Sequence, residues 1–192
     1  DLLNEIIEWD KPLFIALNSW GMESLDPFFL AISKIAIWIP LYGFFVYLLF
    51  KKFDTKEAFI YVGAAIVCVV LTDQLSVHAF KNVFERLRPC HDPTLEGLVR
   101  LVKSNCGGQY GFVSSHATNT FGFAVLMGKI FERKIGFVKG LLIIWALFIS
   151  YSRVYLGVHF PLDVICGGIL GSGLAIGLFH SAQKIINASS NE

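Results

Sequence analysis

Residues 58–80 read AFIYVGAAIVCVVLTDQLSVHAF, and this run is apolar except for a few polar residues near its end, Asp73 and His78 among them. As a helix rising 1.5 Å per residue, the run is about 34 Å long, which matches the ~30 Å hydrocarbon core of a bilayer. The stretch therefore predicts a transmembrane helix with one polar end. We expect Asp73 to form a structural hydrogen bond with Thr118 or Asn119 of another helix, or to line a lipid entrance.

Four other apolar stretches share this plan, because each reaches spanning length only by including polar residues near one end. Together the five stretches predict an all-α fold, a polytopic membrane bundle of about five transmembrane helices whose polar ends meet on one side. We treat residues 1–192 as a single domain. The other four stretches are residues 25–50, 114–131, 135–151 and 160–180.

The N-terminal segment has a different pattern. Apolar residues recur at roughly helical spacing over residues 2–17, with charged residues between them, which predicts an amphipathic helix at the membrane interface. An ordinary packed N-terminal helix is the alternative. The apolar positions are Leu2, Leu3, Ile6, Ile7, Leu13, Phe14 and Leu17.

The composition excludes several classes of protein. Hydrophobic residues make up 55% of the 192 residues and charged residues 16%, against a usual charged share of ~25%. Such a chain is neither intrinsically disordered nor a typical small soluble domain. Its net charge of +1 gives no reason to expect nucleic acid as a partner, and its four cysteines lack the paired spacing of a zinc site. The oligomeric state stays open.

Three polar clusters lie on the side of the membrane where the polar ends meet. His159 and Asp163 of the last cluster are four residues apart and share one helix face. A carboxylate bonded to one imidazole nitrogen leaves the other nitrogen free to act as a nucleophile or a base. Fixed Lys and Arg side chains around one point suit a phosphate dianion. The clusters are Lys81-x6-Arg88-Pro89, Ser114-Ser115-His116 and Ser152-Arg153-x5-His159-x3-Asp163.

In their order and internal spacing, these clusters resemble the signature of the type 2 phosphatidic acid phosphatase (PAP2) superfamily, K-x6-RP, PSGH and SR-x5-H-x3-D. The first and third parts match at every defined position, whereas Val113 and Ser115 replace the Pro and the Gly of the second. The resemblance implies an integral membrane lipid phosphatase that needs no metal or other cofactor. Such an enzyme hydrolyses a lipid phosphomonoester or pyrophosphate through a phosphohistidine intermediate.

The same resemblance implies a role for each residue of the clusters. His159 would attack phosphorus, Asp163 would orient that histidine, and His116 would protonate the leaving oxygen. The phosphoryl oxygens would be held by Lys81, Arg88, Ser114, Ser115 and Arg153.

The segments RPCHDP and CGGQYGF resemble a bacterial subgroup that includes lipid A phosphatases and undecaprenyl pyrophosphate phosphatases. A phosphorylated membrane lipid of one of these kinds is the expected substrate. Two other interpretations are a catalytically silent protein that binds or moves lipid and a vanadium haloperoxidase-like enzyme. The two cluster histidines count against the first. The five apolar stretches count against the second, because those haloperoxidases are mainly soluble.

The basic residues indicate how the chain crosses the membrane. Eight Lys and Arg residues lie on the side opposite the clusters, and four remain on the cluster side once Lys34 and the three cluster cations are set aside. The positive-inside rule then places the clusters outside the cytoplasm, on the periplasmic face of a bacterial inner membrane. In that location Cys90 and Cys106 can form a disulfide; a metal pair with His91 is the alternative.

Overall fold

The computed structural model describes residues 2–103 and 105–189, with the side chains of residues 2–4, 6 and 7 outside that description. The described residues are folded into eight α-helices, and the predicted all-α fold is confirmed. Short 3-10 helices and a π-helical turn connect some of them. The helices are α1 (Leu2–Ser19), α2 (Asp26–Ile32), α3 (Ile39–Lys52), α4 (Thr55–Gln74), α5 (Asn82–Phe84), α6 (Ser115–Phe131), α7 (Val138–Tyr155) and α8 (Pro161–Ser189).

Among the described residues, four helical segments are long and apolar enough to cross a membrane: Ile35–Lys52, Thr55–Phe84, Val138–Tyr155 and Pro161–Ser189. The second contains the predicted transmembrane stretch of residues 58–80 and continues from α4 through the π-helical turn Leu75–Lys81. A fifth helix, α6, has 17 residues and lies between these segments in the bundle. The prediction of about five membrane helices is therefore consistent with the structure.

The first predicted stretch, residues 25–50, is not one helix. Helix α2 ends at Ile32, and the chain restarts as a 3-10 helix over Ile35–Trp38 before α3 begins. The break lies at Ser33 and Lys34, where Lys34 has an extended backbone. Pro40 then lies in the first turn of α3, the only part of a helix that tolerates proline, because proline lacks the N–H that a continuing helix needs. The last stretch was predicted to end at residue 180, but α8 continues to Ser189.

Helix α6 is the centre of the bundle, packed against α4, α7 and α8. Close contact with α8 depends on glycine, because a Cβ at Gly167 would lie 2.8 Å from the Ser114 carbonyl oxygen. The two threonine side chains of α6 are satisfied within their own helix: Thr118 Oγ1 donates to Ser114 O at 3.0 Å, and Thr120 Oγ1 to His116 O at 2.8 Å. A helix with this much polar character is therefore stable inside the bundle rather than in lipid.

Helix α1 packs on the ends of α7 and α8. Phe14 is fully buried against Phe160, and Asn18 Nδ2 donates to the carbonyl oxygens of Val154 and Tyr155 at 3.0 Å each. Trp9 stays 71% exposed, as a residue at a membrane interface would be. The packing of the alternative interpretation is therefore observed, and the interfacial location stays a prediction. Four apolar positions of its sequence pattern, Leu2, Leu3, Ile6 and Ile7, lie outside the described side chains.

Candidate active site

His159 lies in the turn that joins α7 to α8, and it is 2% exposed. The turn contains Gly157 at φ +79°, a conformation that glycine adopts readily and where a Cβ would also lie 2.7 Å from the Arg100 carbonyl oxygen. Asp163 follows in the first turn of α8 and is completely buried. Its Oδ2 lies 3.4 Å from His159 Nδ1 and accepts a hydrogen bond from the Phe160 N–H at 3.0 Å. The structure therefore brings the predicted histidine and carboxylate together.

Burial and the charges of Arg88, Arg153 and Lys81 hold the pKa of His159 well below its ordinary value of 6.5. The imidazole is therefore neutral at neutral pH. A proton on Nδ1, facing Asp163, leaves the lone pair on Nε2. A neutral ring next to several fixed cations is ready to attack an electrophile that carries negative charge.

The first cluster reaches the second through Lys81, in the π-helical turn after α4. Its Nζ donates to Ser115 Oγ at 2.5 Å, and Ser76 Oγ donates to the same oxygen at 2.7 Å. Ser115 stands where the family signature has glycine, so its added hydroxyl takes up a hydrogen bond from the lysine. In the structure as it stands, Lys81 and Ser115 are thus partners of each other.

Arg153 and His116 converge on Ser33, just after α2. Arg153 Nη1 donates to Ser33 Oγ, and His116 Nε2 lies 3.2 Å from the Ser33 carbonyl oxygen. Because a carbonyl only accepts, Nε2 must carry the proton of this bond, which leaves Nδ1 to exchange a proton with a ligand. No pattern in the sequence indicates that Ser33 lies at the site.

Arg88 belongs to the long loop. Its Nε donates to the Tyr110 carbonyl oxygen at 3.3 Å and its Nη1 to the Cys106 carbonyl oxygen at 3.4 Å. Cys90 and Cys106 form a disulfide with their Cα atoms 6.2 Å apart. The predicted disulfide is therefore present in the structure, and it closes the loop that supplies this arginine.

Two buried polar atoms of the predicted site, Ser114 Oγ and Arg153 Nε, have no hydrogen-bond partner within the described part of the chain. Ser114 occupies the N-cap position of α6, but its side chain makes no capping bond. Buried donors without partners are costly, so both atoms are suited to a ligand that accepts hydrogen bonds. In the ranges 2–103 and 105–189 no group of three or more His, Cys, Asp or Glu residues could hold a metal ion.

Sequence reasoning missed Arg86, which lies inside the K-x6-R spacing. Its Nη1 donates to Asp163 Oδ1 at 2.7 Å and its Nη2 to Asp10 Oδ2 at 2.6 Å. The guanidinium also lies over the Phe160 ring, 4.3 Å from its centroid. Arg86 and Asp10 are both charged and both near the site, but no spacing in the sequence links them.

An apolar cavity of about 480 Å³ opens on the second cluster. Side chains of α3, α4 and α6 line it, and its polar lining includes Asp73, Ser115, His116 and Asn119. Its α4 wall includes Ile66, which is 61% exposed, so the cavity reaches the side of the bundle. We call it the lateral groove. Asp73 lines this groove, while the hydroxyl of Thr118 donates to Ser114 instead.

Comparison with known proteins agrees with this geometry. The model of the PAP2 superfamily matches residues 57–187. The chain is 40% identical over 176 residues to the lipid A 4'-phosphatase of Porphyromonas gingivalis, covering 91% of this chain and 72% of that protein. It is 30% identical over 172 residues to the undecaprenyl-diphosphatase of Sulfolobus acidocaldarius, covering 88% and 76%. The crystal structure of Aquifex aeolicus LpxE is similar with a TM-score of 0.64 at 25% identity, covering 88% of this chain and 93% of that one. The chain is therefore a multi-pass membrane phosphatase that belongs to the PAP2 superfamily.

Proposed function

We propose that this protein removes a phosphate group from an acylated amino-sugar lipid of the lipid A type, by a phosphohistidine mechanism and without a metal ion. The lateral groove is the observation that carries the lipid part of this proposal. It offers an apolar path of about 480 Å³ that begins at the bundle surface and ends at Ser115 and His116. A lipid can therefore keep its acyl chain in an apolar environment while its phosphate reaches the charged residues.

In the first chemical step, His159 Nε2 attacks the phosphorus atom and the bond from phosphorus to the lipid oxygen breaks. The negative charge of the bound phosphate favours the imidazolium form of His116, whose Nε2–H stays on the Ser33 carbonyl oxygen. The leaving oxygen takes the Nδ1 proton of this imidazolium, so that it departs as an alcohol and His116 becomes neutral. Asp163 stabilises the positive charge that the His159 ring acquires. In the second step, water gives a proton to His116 and attacks phosphorus, and the electron pair of the P–N bond returns to Nε2 as phosphate leaves.

The cations supply the charge stabilisation that a metal ion supplies in other phosphoryl transfers. Lys81, Arg88 and Arg153 all act electrostatically on His159, so a phosphoryl group bonded to that ring would be stabilised by the same three positive charges. Ser114 Oγ and Arg153 Nε have no other partner in the described structure and would bind phosphoryl oxygens directly. Ser115 would release Lys81 to the phosphate or hold it in position.

The groove also favours an amino-sugar lipid over a polyprenyl diphosphate. Asp73 and Asn119 line its polar end beside His116, the residue that faces the leaving group in our mechanism. The buried Asn119 Oδ1 has no hydrogen-bond partner in the described residues. A leaving group that carries hydroxyl and amide N–H donors satisfies such acceptors, whereas the polyprenyl phosphate released from a diphosphate places acceptor oxygens and negative charge beside them.

We also propose that the site faces the periplasm from a bacterial inner membrane. A disulfide joins Cys90 and Cys106 on the side of the bundle that carries the site, and disulfides persist outside the cytoplasm. The basic residues of the opposite side support the same orientation under the positive-inside rule. They are Lys51, Lys52, Lys56, Lys129, Arg133, Lys134, Lys139 and Lys184.

The test is phosphate release by the purified protein in detergent from three substrates: lipid A, undecaprenyl diphosphate and phosphatidic acid. We expect the highest kcat/KM with lipid A, and activity that survives EDTA. His159→Ala serves as the background control for contaminating phosphatases. A clear preference for undecaprenyl diphosphate would overturn the substrate proposal and leave the mechanism standing, whereas full activity of His159→Ala would overturn the mechanism.

A further inference from the structure

Asp163, the partner of His159, is itself held by a chain of charges that begins in α1. We propose that Asp10 and Arg86 are positioning residues, which set the orientation and the effective charge of Asp163 and thereby control the reactivity of His159. This inference rests on the proposed role of His159 as the nucleophile.

The contacts form one continuous line. Arg86 bridges two carboxylates with separate nitrogens, at 2.6 Å to Asp10 and 2.7 Å to Asp163. The side chains of Asp10 and Asp163 are 4% and 0% exposed, and that of Arg86 is 17% exposed. Two charge-assisted bonds that are shielded from water hold a guanidinium in one orientation. Its position over the Phe160 ring fixes it further.

Both carboxylates also hold the backbone at the start of α8. Asp10 Oδ1 accepts from the Leu162 N–H at 2.9 Å, and Asp163 Oδ2 accepts from the Phe160 N–H at 3.0 Å. These amides belong to the same turn as His159. The Arg86 backbone takes part as well, because its carbonyl oxygen accepts from the Gly111 N–H at 2.8 Å. The line therefore joins α1, the long loop and α8 at the nucleophile.

Asp10 matters for charge as well as for position. The group Asp10–Arg86–Asp163 carries one net negative charge, and Asp163 directs that charge toward the imidazole. If Asp10 were neutral, the guanidinium would compensate Asp163 alone, and the group would carry no net charge. The positive charge that develops on His159 during attack would then lose electrostatic stabilisation. The loss would fall on the chemical step rather than on the binding of substrate.

The matched control lies next to Asp10 in the sequence. Lys11 forms an ion pair with Asp92 at 3.1 Å and a hydrogen bond with Thr94 Oγ1 at 2.9 Å. This contact also ties α1 to the long loop, but it includes no residue of the proposed site. If Asp10 only held α1 in place, variants of Asp10 and of Lys11 should lose similar amounts of activity. If Asp10 acts through Asp163, only the Asp10 variant should lose activity.

The experiment compares Asp10→Asn with Lys11→Met in steady-state kinetics on lipid A. Asn keeps the shape of Asp and an oxygen for the Leu162 N–H, but its NH2 group cannot accept the hydrogen bond from Arg86 Nη2. The change therefore removes the negative charge and the bond to Arg86 while it keeps the backbone anchor. We expect kcat to fall by about 10- to 100-fold in Asp10→Asn, the loss typical of groups that support a functional histidine, with KM changed by less than about twofold. Lys11→Met should keep kcat within about twofold of wild type.

A double-mutant cycle separates this role from a structural one. We expect Asp10→Asn to cost much less in kcat when Asp163→Asn is already present, because Asp10 acts through that carboxylate. Three results would overturn the inference. They are a loss from Asp10→Asn that is the same with and without Asp163→Asn, an unchanged kcat in Asp10→Asn, and a loss in Lys11→Met equal to that in Asp10→Asn. The two proposals can fail separately. If His159→Ala is inactive while Asp10→Asn has normal activity, only the positioning role of Asp10 is contradicted.

Discussion

Substituting Ala65 by Phe should make the enzyme selective for short acyl chains. Ala65 lies in α4, on the wall of the lateral groove and only partly buried. Phe at this position would project into the groove and separate its far end, at Val62, from the polar end at Asp73. The variant should still fold, because the added ring enters existing space rather than a packed interface.

The structure gives the size of the effect. Val62 and Ala65 are three residues apart, or about 4.5 Å along the helix. An extended hydrocarbon advances about 1.3 Å per carbon, given C–C bonds of ~1.5 Å, so three or four methylenes lose their site. At about 0.8 kcal/mol per buried methylene, the loss is about 3 kcal/mol, or roughly 100-fold in kcat/KM. A chain of about six carbons ends before Ala65 and should lose nothing.

The assay measures kcat/KM for a series of substrates that share one head group and differ in acyl length. Val67→Phe is the matched control, since Val67 is on the same helix, is 45% exposed and does not line the groove. It should leave the chain-length profile unchanged. An equal loss for short and long chains in Ala65→Phe, or no loss for either, would refute the assignment of the groove to the acyl chain.

Four shorter predictions follow from the site. His159→Ala should abolish phosphate release, whereas His116→Ala should lose about 10²- to 10⁴-fold and less on a substrate with a good leaving group; equal losses would contradict the division of roles. Activity should survive EDTA and be inhibited by vanadate. Loss of activity in EDTA that Mg²⁺ restores would contradict the metal-independent mechanism. Cys90 and Cys106 should resist alkylation in protein purified without reductant, as mapped by mass spectrometry; two freely alkylated thiols would contradict the disulfide. Folding stability in detergent should fall as the pH drops below 6.5, because the unfolded chain then protonates His159 whereas the folded chain, in which burial lowers its pKa, does not. Thermal midpoints measured from about pH 5 to pH 8 should therefore depend less on pH in His159→Gln than in the wild type. The same pH dependence in both proteins would contradict the contribution of His159.

The parts of the site that sequence reasoning found are those whose geometry is local. Four residues along a helix bring His159 and Asp163 to one face wherever that helix lies, and the predicted pair does meet in the structure. The five apolar stretches likewise predicted the bundle, because the length of a membrane helix is fixed by the bilayer. Whether each site residue acts as proposed stays a prediction for the variants above.

The parts that sequence reasoning missed depend on contacts between distant segments. Arg86 and Asp10 are 76 residues apart and meet only once α1 has docked on α7 and α8. Ser33 reaches Arg153 and His116 because the first apolar stretch breaks at Ser33, where α2 ends. Helical periodicity carries no information about such contacts between distant segments. Replacing either partner by another residue would leave the periodic pattern of apolar residues unchanged.

The polar character of α6 has a consequence for how the protein is made. A 17-residue helix with Ser, His, Thr and Asn in its first turns is a weak candidate for insertion by the translocon on its own. Its main contacts are with α8, which is synthesised last of the eight. We therefore expect α6 to enter the membrane together with α7, as a helical hairpin, and to become stably buried only after the ribosome has delivered α8. A nascent chain arrested before Pro161 should accordingly be a substrate for membrane quality-control proteases, while the full-length chain escapes them.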